Sequence, residues 1–156
     1  MYIQDKKILR SQPFAIEFSI ASHFEVVAID LVSIPVSRAY NHLLTIIDLK
    51  SRLLVAVPLS NIHAETVANF FFKCWICVYD APSVVYSDKA LQFVSSVFKS
   101  LRNNLKIAVT HSSSKRKLYN RKSLQHGTLK KRLRPISGNW ADNIPRALHD
   151  LSLIHI

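Results

Sequence analysis

Glutamate disappears from this chain after Glu65, and beyond Asp88 acids of either kind are reduced to Asp142 and Asp150. Cysteine is nearly as scarce, with only Cys74 and Cys77. A secreted disulfide framework is therefore excluded, and a reducing compartment is the better expectation. No apolar run reaches the roughly 20 residues that a membrane-spanning helix needs. The longest candidate, residues 70–79, is interrupted by Lys73. Met1 to Arg10 is too polar to read as a signal peptide. Neither an internal repeat nor a low-complexity tract is present.

What the chain does have is apolar residues and positive charge. At 156 residues, 49% of them hydrophobic, it is expected to fold as one domain around one core. Residues 1–22 have no period and read as a leader or linker, with the domain proper over 23–156. The net charge of +11 points to an anionic partner. Residues 1–88 hold 7 Lys and Arg against 8 Asp and Glu, whereas residues 89–156 hold 14 against 2. A basic half joined to a neutral scaffold suits nucleic acid. A merely solvated basic surface is the plainer alternative.

Runs of β-branched and apolar residues predict strands over 24–31, 43–48, 52–57, 84–87 and 105–110. Pro58 is expected to end the third, and Ser33, Pro35 and Ser37 to form a turn after the first. Val67, Phe70, Phe71, Cys74 and Val78 predict one apolar helix face, with Glu65 at the positive end of the helix dipole. Cys74 and Cys77 sit in that stripe as CxxC and are expected to pack in the core, since two more zinc ligands are missing. Phe93 to Asn104 reads as a second short helix. Residues 122–133 form a weaker one, and Trp140, Ile144, Ala147, Leu148 and Leu151 share a face of a last one. Three strands, helix, strand, helix, strand, then helices predict an α/β fold, a five-stranded mixed sheet with helices on its faces.

Two carboxylates stand out, because each follows or interrupts a strand. Asp30 lies in Phe24–Leu31, and Asp88 ends Val84-Val85-Tyr86-Ser87. An ionised Asp inside a fold costs several kcal/mol, on the order of magnitude known for unpaired buried charges, unless a partner compensates it. Two on neighbouring strands can share Mg²⁺ or Mn²⁺, which prefer oxygen ligands. The competing reading is that each caps a strand end or pairs with a lysine. Asp48 reads as a turn cap.

A run of nine Lys and Arg without an acid fills residues 115–134. Lys115, Arg116, Lys117, Arg121, Lys122, Lys130 and Lys131 are its candidate phosphate contacts, and Tyr119 a candidate for stacking on a base. An unpaired basic surface is the alternative.

Several strings in order resemble the integrase catalytic core of retroviruses and gypsy-type LTR retrotransposons. They are Phe24–Val32, His42–Arg52, Ala64–Ala68 with Trp75-Ile76, Tyr86–Phe93, Thr128–Leu133 and Trp140–His155. The resemblance covers roughly residues 22–156. It implies a ribonuclease H-like fold and a retroelement polyprotein. It also implies metal-dependent cleavage and joining of DNA (DNA integration), with Asp30 and Asp88 as catalytic metal ligands. DNA is the implied partner, a homo-oligomer an implied assembly, the nucleus the implied location, and no membrane is involved.

The chain departs from that family where the third ligand belongs. The family's Glu falls on Ser123, or on Leu124 if the count shifts by one residue. The glycine after the second Asp is Ala90, and the helix-end glycine is Asp80. Losing one carboxylate is expected to weaken occupancy by Mg²⁺ or Mn²⁺ and to impair catalysis. The alternative function is a non-catalytic basic nucleic-acid-binding module.

Overall fold

The structure, a computed structural model, describes residues 22–88, 91–111 and 140–153. The sheet has five strands: β1 (Val26–Ser37), β2 (Tyr40–Asp48), β3 (Leu54–Leu59), β4 (Val84–Ser87) and β5 (Ala108–His111). Their order is β3-β2-β1-β4-β5. The first three form an antiparallel meander, and β4 and β5 join parallel to β1. This is the predicted mixed sheet.

Two strands run further than the sequence suggests. β1 continues through Pro35 to Ser37, with its register against β2 shifting between Ser33 and Ser37. A bulge absorbs the proline there. Pro58 lies inside β3, opposite Leu43. It is tolerated because β3 is an edge strand, where one side of the backbone needs no ladder partner. The β1–β2 hairpin turns at Arg38 and Ala39, both at positive φ (51° and 78°). That backbone normally takes Asn-Gly, so the usual hairpin signal is missing from the sequence.

One sheet face packs on helices. Val27, Ile29, Leu44, Ile46, Leu59 and Val85 meet Val67, Phe71, Trp75, Phe93 and Phe98 in the main core. The helical layer consists of α1 (Ala64–Phe71), a π turn (Phe72–Ile76), α2 (Cys77–Tyr79), α3 (Leu91–Val94) and α4 (Ser96–Asn104). Ser95 breaks the predicted Phe93–Asn104 helix in two. Its hydroxyl caps α4 by accepting from the Phe98 N–H at 3.2 Å.

The π turn corrects the predicted helix face. Val67, Phe71, Trp75 and Tyr79 are four residues apart, and each step of four drifts about 40° around a regular α-helix. The wider turn, closed from Cys77 N–H to the Phe72 carbonyl, cancels the drift. Trp75 is thereby fully buried, and Val78 is 62% exposed. Cys74 is half-buried and Cys77 exposed. The pair therefore does not pack in the core as expected. Phe24, Trp75 and Tyr79 close this end of the core as an aromatic group, with Phe24 stacked on Tyr79 at 4.9 Å.

The opposite face of the sheet carries two smaller clusters. Val26, Ala28, Ile47, Leu49, Val84 and Tyr86 form one. Val32, Leu43 and Ala56 form the other, covered by Trp140, Ile144 and Ala147. These last come from a 3₁₀ turn (Trp140–Asn143) and α5 (Ile144–Leu153), the predicted closing helix. Leu148 and Leu151 of the predicted stripe, like the 122–133 segment, lie outside the described side chains. Trp140 Nε1 donates to the Pro35 carbonyl at 2.6 Å, and Arg38 pairs with Asp142 at 2.8 Å. The closing element is thus fastened to the β1–β2 hairpin.

Candidate functional site

Asp30 lies between those two smaller clusters. Side chains alternate along β1, so Ala28, Asp30 and Val32 point to one face. Ala28 belongs to the first cluster and Val32 to the second. Asp30 is therefore the polar break in an otherwise apolar row. It is half-buried, and its Oδ1 accepts from the Leu31 N–H at 3.0 Å.

Asp88 directly follows β4, the strand parallel to β1. The parallel pairing runs Val26 with Val84, Val27 with Val85 and Ala28 with Tyr86. Asp30 lies two residues beyond Ala28, and Asp88 two residues beyond Tyr86. Both follow the last paired residues of the β1–β4 ladder, where the strands part. Asp88, exposed, directly follows the end of β4. In open α/β sheets, ligand sites lie beyond such strand ends.

Two side-by-side carboxylates repel unless a cation lies between them. Their donor set is oxygen only, which suits a hard divalent ion such as Mg²⁺ and not a soft one. Among the described residues, no group of three or more His, Cys, Asp or Glu is gathered. Asp30 and Asp88 are thus two candidate ligands without a third carboxylate, cysteine or histidine gathered among the described residues. Ser123, the position of the expected third, lies outside the described residues. So do Lys115, Arg116, Lys117, Tyr119, Arg121, Lys122, Lys130 and Lys131 of the basic run.

On the other side of Asp30 stands Thr45. It is the antiparallel partner of Asp30 on β2, so its side chain shares the face. Thr45 is fully buried, and its Oγ1 donates to the Asp30 carbonyl at 3.3 Å. Ala56 lies opposite Thr45 on β3. A row of small and polar residues, Ala56, Thr45 and Asp30, thus crosses β3, β2 and β1. Sequence reading passed over Thr45, because a threonine in a β-branched run looks like any strand-former.

Asp48 is the turn cap that its sequence context predicts. Although wholly buried, its carboxylate accepts from the N–H groups of Phe24 (3.2 Å) and Ser51 (2.7 Å) and from the Ser51 hydroxyl (2.6 Å). These bonds satisfy the charge within the turn and leave Asp48 outside the Asp30–Asp88 row.

A family model described as integrase core domain matches residues 21–117. Two solved structures share the fold. The BIV integrase catalytic core aligns with a TM-score of 0.69 at 18% identity, covering 82% of this chain and 83% of that one. The HTLV-2 integrase catalytic core, solved in complex with magnesium in a trimeric form, aligns with a TM-score of 0.64 at 15% identity. That alignment covers 82% of this chain and 84% of the other. No curated protein matches the chain. The fold is the ribonuclease H-like α/β fold of integrase catalytic cores.

Proposed function

This chain belongs to the integrase core domain family, and we propose that it is a DNA-binding core of retroelement origin whose strand-transfer centre is incomplete. The observation that carries this reading is that Asp30 on β1 and Asp88 after β4 each lie two residues beyond the last pair of the β1–β4 ladder, Ala28 with Tyr86. Those two carboxylates would hold Mg²⁺ or Mn²⁺. When bound, such an ion activates an attacking oxygen and neutralises charge on the leaving one in phosphodiester chemistry. The magnesium in the HTLV-2 relative supports the choice of ion.

The protein's own contribution is to place and surround that ion. β1 and β4 fix the two carboxylates on a rigid sheet. Apolar clusters flank Asp30 along β1, through Ala28 on one side and Val32 on the other. Lys115 to Arg134 would hold the DNA backbone near the site through phosphate contacts. Ser123 offers a neutral hydroxyl where a carboxylate is needed, so metal occupancy falls and catalysis with it. Self-association follows the trimeric relative, and a nuclear location follows from a DNA substrate. The complete loss of glutamate after Glu65 favours a second reading, a nucleic-acid-binding module that performs no chemistry.

An oligonucleotide assay with Mn²⁺ separates the two. DNA binding should weaken steeply with salt, with a log–log slope of about −0.9 per phosphate contacted. Wild type should nick DNA weakly, Asp30→Asn and Asp88→Asn not at all, and Ser123→Glu at least about tenfold faster. Nicking unaffected by either Asp substitution would remove the catalytic reading. Salt-insensitive binding would remove the DNA-binding one.

A further inference from the structure

We infer that Thr45 is the positioning residue for Asp30, fixing the backbone from which the first carboxylate of the centre projects. The inference rests on the metal-site reading of Asp30 and Asp88 and extends it to a side chain that touches neither metal nor substrate.

Three observations carry it. Thr45 is fully buried in a strand whose neighbours on the same face, Leu43 and Ile47, are apolar. Valine has the same shape, higher apolarity and strong β-propensity, so packing alone would prefer it. The hydroxyl is also specifically used: it donates to the Asp30 carbonyl at 3.3 Å. Thirdly, Thr45 is the direct cross-strand partner of Asp30. Its hydroxyl therefore acts on the peptide group that sets the direction of the Asp30 Cα–Cβ bond. Thr45 thus adds a side-chain bond to the main-chain pairing of β1 with β2.

The test uses the full chain with three variants, Thr45→Val, Thr45→Ser and Asp30→Asn. Mn²⁺ binding is followed by electron paramagnetic resonance, and amide exchange by hydrogen–deuterium exchange of β1. Thr45→Val keeps the shape and should keep or raise the melting temperature. It should nevertheless weaken Mn²⁺ affinity about tenfold, within the range seen when a ligand's supporting partner is removed. Exchange at Asp30 and Leu31 should quicken. Thr45→Ser restores the hydroxyl and should restore Mn²⁺ affinity to within about twofold of wild type, on the same comparison. If Thr45→Val binds Mn²⁺ as wild type does while Asp30→Asn does not, the role of Thr45 is refuted and the site stands. If Asp30→Asn binds Mn²⁺ as wild type does, the underlying site is refuted instead. If Thr45→Ser loses affinity as fully as Thr45→Val, the hydroxyl is not the active group and the inference fails.

Discussion

Asp80 closes the long helix with φ 74° and ψ 170°, a backbone region that suits glycine almost alone. A non-glycine residue there carries on the order of 1–3 kcal/mol of strain. Its side chain offers partial compensation, since Oδ1 accepts from the Ala81 N–H at 2.7 Å. Two substitutions isolate the strain. Asp80→Ala removes the hydrogen bond and keeps the Cβ, whereas Asp80→Gly removes both. In an ordinary loop, alanine is the more stabilising of the two by about 0.4–1 kcal/mol, because glycine gains freedom in the unfolded chain. Here strain relief opposes that entropy and exceeds it. Asp80→Gly should therefore be more stable than Asp80→Ala by about 1 kcal/mol, which corresponds to about 2–4 °C in melting temperature for a chain of this size. Equilibrium urea unfolding of both variants at pH 7 measures the difference directly. An alanine variant as stable as the glycine variant would show that the positive φ at Asp80 carries no strain and would refute the argument.

The corrected helix face gives a second expectation: Phe71→Ala should cost about 3–5 kcal/mol, and Val78→Lys should stay within about 0.5 kcal/mol of wild type, both read by urea unfolding. Burial pushes the Cys74 thiol up, with Lys73 partly offsetting it, whereas Cys77 is exposed. Thiolate is the reactive form, so a maleimide at pH 7.5 should label Cys77 first, with the gap narrowing as pH rises through the Cys74 titration. Mass spectrometry of partly labelled protein would overturn this if Cys74 reacted first.

The strands were legible because their cores are short runs of valine, isoleucine and leucine, and 84–87 matched to the residue. Their ends were not, because tertiary position overrides local chemistry. Pro58 looks like a terminator, but an edge strand accepts it. Pro35 looks like a turn, but a bulge carries β1 past it. Arg38 and Ala39 do form the hairpin turn without its usual residues. The helix between β3 and β4 misled for a different reason. Val67, Phe70, Phe71, Cys74 and Val78 together fit a 3.6-residue period well, and a π turn that brings Trp75 and Tyr79 inward leaves no mark on that period. At the site, the residue types of Asp30 and Asp88 were visible in the chain. The parallel pairing of their strands was not, since such a pair is joined by a long crossover whose register no local pattern fixes. Thr45 was hidden altogether, because its importance lies in what stands opposite.

If Asp30 and Asp88 act on one cation, crystals of the protein soaked in Mn²⁺ should give a single anomalous peak in contact with a carboxylate oxygen of each aspartate. A peak held by one of them alone, or the two side chains on opposite faces of the sheet, would contradict it.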